Sequence, residues 1–337
     1  MSHFDTLHPN RRQWLQSTGA GALLAALGTS ALAQANAFES VKIITGFAAG
    51  GTSDTLCRRV ADKLPGTGYT KTAYVENKTG AGGQIAIQFV KAQNPDGLTL
   101  LQTPMSMLGV YPHIYKKLSY DPVADLTPVS LACVFDFGFA VGPSVPASVK
   151  TVPDFLAWCK ANPKEANFGS PAAGSVPHFV GSLLGHHAGI ELKHIAFRGT
   201  QPAILDMIGG QLPAVSGPLG EFSQHVAAGK CRLLASTGAQ RSKFTPNTQT
   251  MAEQGLKDMV FGEWFGFYLP AKAPRDLVQR LNTALRAALA TPEVVDGLGA
   301  MGLEAKSSTP AELAAMLKTD FERWGPLVKT IGFSADA

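Results

Sequence analysis

Val41-Lys-Ile-Ile-Thr-Gly-Phe-Ala-Ala-Gly-Gly-Thr-Ser-Asp-Thr-Leu-Cys-Arg-Arg-Val60 joins an apolar strand to an amphipathic helix through a loop of small residues. Leu56, Cys57, Val60, Ala61 and Leu64 recur at helical spacing, so one face is buried and Arg58, Arg59 and Asp62 lie elsewhere. Thr52 and Ser53 are residue types that cap helix N-termini, and Gly50-Gly51 lets the backbone turn closely in front of them. The first helical N–H groups have no internal partner and carry the positive end of the helix dipole, so such a corner holds an anion through backbone alone. No Lys follows the glycines as in a P-loop, and no G-x-G-x-x-G occurs, so this is not a nucleotide loop. An ordinary βα turn is the plainer reading of the same residues.

Outward from this segment, strands and helices alternate. Thr72 to Glu76, Leu98 to Thr103, Asn167 to Gly169, Lys193 to Ala196, Leu212 to Val215 and Arg232 to Ser236 read as strands. Gln84 to Ala92, Val176 to His187, Pro202 to Ile208 and Leu219 to Ala228 read as helices, and Gly209-Gly210 is a C-cap signal. Thr151 with Asp154 spells a capping box for a helix reaching Ala161, and the tail from Pro274 to Thr330 is mostly helical. Repeated βα units predict parallel sheets with helices on both faces. Two longer β-like runs, Val129 to Val141 and Phe261 to Leu269, bracket a complete set of βα units. They read as two crossings between domains with a ligand cleft between them, the alternative being two interior strands of one large sheet.

The first residues carry an address. Asn10-Arg11-Arg12-Gln13-Trp14-Leu15 is a twin-arginine pattern, followed by a mildly apolar run from Gly19 to Gly28 and an Ala31-Leu32-Ala33 cleavage site. That run is too short and too broken to span a bilayer, which needs roughly 20 apolar residues. We expect export by the twin-arginine route and a mature chain starting near Gln34. Losing residues 1–33 removes two Arg and one Asp and lowers the formal charge from +4 to +3. So mild a balance, without Lys/Arg runs, argues against nucleic acid. With 45% hydrophobic and 16% charged residues the chain is globular. Cys57, Cys133, Cys159 and Cys231 are widely spaced, allow three disulfide pairings and form no C-x-x-C. Cys57 and Cys159 fall on apolar helix faces, which favours buried thiols.

An ordered series of segments resembles the Bug-type extracytoplasmic solute-binding family of tripartite tricarboxylate transporters. It includes Phe47-Ala-Ala-Gly-Gly-Thr-Ser-Asp54, Val75-Glu-Asn77, Gly80-Ala-Gly-Gly83, Pro95-Asp-Gly-Leu-Thr-Leu100 and Tyr115-Lys-Lys-Leu-Ser-Tyr-Asp-Pro122. Gly199-Thr-Gln-Pro-Ala203, Gly209-Gly-Gln211, Trp264-Phe-Gly266 and Pro270-Ala271 continue it. The resemblance implies an α/β two-domain flytrap with two mostly parallel sheets and a carboxylate in the interdomain cleft. Its domains would be 38–137 with 263–337, and 138–262. It further implies a periplasmic, non-enzymatic protein without cofactor or metal. Such a protein delivers a di- or tricarboxylate to a membrane permease, serves a membrane sensor in some settings, and is expected as a monomer.

Carried over by residue, the resemblance places the carboxylate pocket on Phe47, Ala48, Ala49, Gly50, Gly51, Thr52, Ser53 and Asp54, with ordered waters often completing it. The loop Thr103-Pro-Met-Ser-Met107 supplies the neighbouring wall through Thr103 and Ser106. The second domain supplies Ser170, Ala173, Ser175 and His178, and Ser216 after the following strand. Family members often carry an Asp at that last place; Ser216-Gly217 here argues against an amino-acid ligand. Met105 and Met107 make the wall more apolar and lean toward an aromatic or longer aliphatic carboxylate. Arg198, in a βα loop, reads either as a partner for a distal carboxylate or as a solvated surface residue. His178 reads either as a ligand donor or as a packing residue, and Trp264 as core. His186-His187 diverge by about 100° on a helix and do not chelate together. No G-x-S-x-G, H-E-x-x-H or local Ser/His/Asp set occurs, leaving as an alternative a secreted hydrolase-like enzyme using Cys57 or Ser53.

Overall fold

The computed structural model describes residues 37–335, so the twin-arginine pattern and cleavage site lie outside the described residues. The opening segment folds as its periodicity predicts. Strand β1 (Phe38–Thr45) buries Val41, Ile43 and Ile44, and helix α1 (Thr52–Lys63) buries Leu56, Cys57, Val60 and Ala61. Each large apolar side chain so enclosed contributes about 1.5–3 kcal/mol. β1 lies between β2 (Thr70–Asn77) and β3 (Thr99–Pro104), parallel to both, with Ile43 opposite Val75 on one side and Leu100 on the other. Helix α2 (Gln84–Lys91) makes the crossover between β2 and β3.

After a turn of wide, i→i+5 helix over Ser106–Val110 and the short α3 (Tyr111–Ile114), the chain enters β4 (Leu126–Val141). This 16-residue strand ties the molecule together. Its first part pairs antiparallel with β9, and its last part, from Phe137 onward, pairs antiparallel with β7 and β8. The second lobe follows: α4 (Val152–Ala161), β5 (Asn167–Ser170), α5 (Val176–Ala188), β6 (Lys193–Ala196), α6 (Thr200–Ile208), β7 (Ala214–Pro218), α7 (Ser223–Ala227) and β8 (Arg232–Ser236). The capping box at Thr151 and Asp154 is present on α4. Strand β9 (Gly262–Pro270) returns to the first lobe antiparallel to β3 and β4. There α8 (Arg275–Leu289), α9 (Pro292–Gly299), β10 (Glu304–Ala305) and α10 (Pro310–Ile331) complete the chain.

The strand order β2-β1-β3-β9-β4-β7-β5-β6 makes the sheet mixed rather than mostly parallel. The short βα units are parallel as expected. The two crossings, β4 and β9, are not, because each joins the lobes directly and runs against its neighbours. The two crossings touch where Thr237 accepts from the Phe137 N–H at 3.0 Å and donates to the Phe261 carbonyl at 2.5 Å. Trp324 of α10 is buried at this seam, 5.5 Å from Phe261 and 5.8 Å from Phe179 of α5. The strand expected over Leu212–Val215 starts two residues later, at Ala214, and the helix expected from Leu219 begins as a tight 3-10 turn over Leu219–Phe222.

Candidate functional site

The cleft between the lobes has a volume of about 450 Å³. Three helices aim their N-termini into it: α1 through Gly51, Thr52 and Ser53; α5 through Ser175 and Pro177; and α6 through Gly199, Thr200 and Gln201. Their first N–H groups lack helical partners, so the positive ends of three helix dipoles face the cleft without many basic side chains. Phe47, Met107, Phe135, Phe137 and Phe265 line it as well, with Phe135 edge-on to Phe137 at 5.6 Å and to Phe265 at 4.9 Å. Arg198 stands exposed on the rim.

The Phe47–Ser53 loop is braced from behind. Asn77 donates from Nδ2 to the Phe47 carbonyl and to Asp54 Oδ1, both at 2.9 Å. Asp54 Oδ2 accepts from the Gly50 N–H and from Arg58 Nε, also at 2.9 Å. Burial raises the Asp54 pKa, but Arg58, Gly50 and Asn77 together hold it below the usual carboxylate value. Gly50 takes φ +82°, the left-handed region that costs a side-chain-bearing residue about 1–2 kcal/mol, whereas Gly51 is extended at φ −78°. Gly46 approaches Gly83 so closely that a Cβ would lie 2.7 Å from the Gly83 Cα, which explains the Gly80–Gly83 segment as packing.

Of the residues expected at the site, Phe47, Ala48, Ala49, Gly50, Gly51, Thr52, Ser53, Ser106, Ser175 and Arg198 line the cleft. Six do not. Asp54 turns inward to brace the loop. Thr103 is buried within β3, opposite Gly266 of β9. Ser170 is buried at the end of β5, its hydroxyl 2.7 Å from His194 Nε2. Ala173 is exposed on the loop before α5. Ser216 is fully buried in β7 opposite Phe139, its hydroxyl without a partner among the described residues. His178 accepts the Gly174 N–H on Nδ1 at 2.9 Å and stacks on His194 at 3.9 Å, and burial followed by His194 lowers its pKa to about 3. It is therefore a neutral packing residue. Met107 lines the wall but Met105 packs behind it, against Gly109. Thr52 is the first helical residue rather than a cap, because Gly51 holds the N-cap place and no side chain caps it.

Thr52 uses its freed hydroxyl on something absent from the sequence reading: it donates to Glu221 Oε1 across the cleft. Glu221, half-buried after β7, also accepts from Gln201 Nε2 at 3.0 Å, and loss of solvent raises its pKa. A second acid, Glu263, is 5% exposed at the start of β9 and bonds both the N–H (3.2 Å) and the hydroxyl of Ser106. Burial pushes its pKa up to about 8, against the pull of the Ser106 bonds. Glu263 had a visible signal, being the one charge in the apolar run Phe261 to Leu269. Glu221 had none, since its partners lie 20 and 169 residues away.

A family model described as "Tripartite tricarboxylate transporter family receptor" matches residues 56–333. The chain belongs to this family. It is 28% identical to Protein BugT of Bordetella pertussis over 315 residues, 93% of this chain and 96% of that one. Among solved structures it is similar to MatC (Rpa3494) from Rhodopseudomonas palustris with bound malate. The TM-score is 0.79 at 26% identity, covering 86% of this chain and 99% of that one. It is also similar to R. palustris Rpa4515 with adipate, with TM-score 0.82 at 27% identity, covering 88% and 98%. The chain therefore has the two-domain binding-protein fold and is a receptor of this transporter family rather than an enzyme. The hydrolase reading also fails chemically. The Cys57 thiol is fully buried and pushed well above its ordinary pKa, first by burial, and among the described residues no histidine lines the cleft beside Ser53.

Proposed function

We propose that this receptor closes its lobes on a small organic carboxylate held by the Phe47–Ser53 loop and the N-termini of α5 and α6, and hands it to a membrane permease. The observation that carries the reading is the convergence of three helix N-termini on one cleft with Arg198 at its rim. Backbone N–H groups reach the anion, the phenylalanines cover its carbon skeleton, and Arg198 attracts it from solvent. Relatives with bound malate and adipate support the anionic class. Closure is a population shift, driven by a ligand that meets both lobes only when they are together.

The finer features belong to the same proposal. Residues 38–137 with 263–337 form one domain and 138–262 the other, supported by the switch of β4 partners at Phe137. The protein works in the periplasm as a monomer after twin-arginine export, and its loaded form also serves a membrane sensor. Calorimetric titration with mono-, di- and tricarboxylates tests the core claim. A bound carboxylate at a hundredfold excess over Kd adds roughly 2.7 kcal/mol of stability, unaffected by EDTA. The ester or amide of the same ligand is expected to add none; equal stabilisation by the amide overturns the reading.

A further inference from the structure

We propose that Glu221 stands in for the second carboxylate of a ligand, so that this cleft selects monocarboxylates with an apolar, ring-sized body and excludes di- and tricarboxylates. The inference rests on the carboxylate-receptor reading of the cleft. Glu221 projects from the second lobe and bridges the first turns of two facing helices, accepting from Thr52 of α1 and from Gln201 of α6. A ligand carboxylate spanning the lobes would want those same donors. The space between α1 and α6 is thus already filled by a carboxylate belonging to the protein, leaving the backbone of the Phe47–Gly51 loop and the N-terminus of α5 for one carboxylate of the ligand.

The charge balance points the same way. Among the described residues the cleft lining carries a single cation, Arg198, which is exposed, and two acids, the half-buried Glu221 and the buried Glu263. Adding a dianion would set its two carboxylates beside that of Glu221 in one apolar cleft against one screened guanidinium, and like charges in such surroundings repel strongly. One carboxylate with an apolar body avoids that. The body fits the remaining walls: Phe135, Phe137 and Phe265 form an edge-packed aromatic floor, faced by Phe47, Met107 and Leu205. Relatives with malate and adipate hold dicarboxylates, so this selectivity would set the present receptor apart within its family.

The test uses matched ligands that differ by one carboxylate: benzoate against terephthalate, and hexanoate against adipate. Calorimetry on the mature protein at pH 7.5 is expected to give at least tenfold tighter binding for each monoacid. In Glu221→Gln, which keeps the side-chain shape without the charge, the diacids should gain at least tenfold while the monoacids change less than threefold. Glu221→Ser, which also opens space, should give the diacids at least as much. Melting curves establish that each variant folds, and if Glu221→Gln does not fold, the wild-type ratios and Glu221→Ser decide. Diacids binding wild type as tightly as monoacids, or a ratio unchanged in both variants, overturns this inference and leaves the receptor reading standing. No binding by any of the four acids, nor by malate, to a cooperatively melting protein overturns both.

Discussion

At the scale of single residues, the buried acid Glu263 makes one contribution to stability that depends on pH. Its ordinary pKa is 4.5 and burial raises it to about 8, so between those values the folded state keeps a proton that the unfolded chain releases. Its contribution is complete below pH 4.5 and is lost as pH rises toward 8, at up to about 1.4 kcal/mol per pH unit. Glu263→Gln stays neutral throughout. The variant is expected to melt near the wild type at pH 5 and to become progressively more stable than it up to pH 8.5. Parallel melting curves across that range check this, and a constant gap would mean that Glu263 is ionised in the fold. The isolated residues of the site were the hardest to read from sequence. Glu263 announces itself as one charge in an apolar strand, but the direction in which Asp54, His178 or Ser216 turns depends on tertiary partners that no local spacing encodes.

At the scale of elements, the loop between β1 and α1 is rigid because of what stands behind it. Asn77, at the end of the neighbouring strand β2, ties the Phe47 carbonyl to Asp54, and Asp54 ties the Gly50 N–H to Arg58. Asn77→Ala removes two of these bonds and should cost about 1–3 kcal/mol in total, read as a lower melting temperature and roughly tenfold weaker carboxylate binding. Gly50→Ala should cost about 1–2 kcal/mol through its positive φ, while Gly51→Ala should be tolerated. Equal melting of the two glycine variants would contradict this account. Elements of this kind were legible from sequence: β6 and β8 begin and end where the apolar runs do, and the Thr151–Asp154 box opens α4. Strand direction was not. Local alternation in β4 and β9 is the same whether the neighbours run parallel or against them, and only the path of the whole chain decides.

At the scale of the whole molecule, two unusually long apolar runs bracket a block of βα units, and the first of them, β4, pairs with β9 at one end and with β7 and β8 at the other. The phenylalanine floor of the cleft followed from those same runs but was not identified as site, since an apolar residue in a strand carries no sign of which cavity it faces. The proposed export signal at Arg11 and Arg12 makes a whole-chain prediction. Changing Arg11 and Arg12 to Lys should trap unprocessed protein in the cytoplasm, and the exported wild type should begin at or near Gln34. Undiminished periplasmic yield of the double variant, seen by fractionation and immunoblot, would assign the chain to the general export route.

The aromatic seam has an optical consequence. Trp324 is wedged between Phe261 at the crossing and Phe179 in the second lobe, and Trp264 hydrogen-bonds Asp320 of the same helix at 2.7 Å. The hinge rotation proposed above would change the polarity around these indoles, whereas Trp158, beside Phe155 on α4, would move with its lobe. The receptor therefore carries its own fluorophore for lobe closure. Emission excited at an indole wavelength should shift or change intensity as carboxylate is added. Trp324→Phe should remove most of that response while titration heats remain, making the intrinsic light of one side chain a direct readout of occupancy.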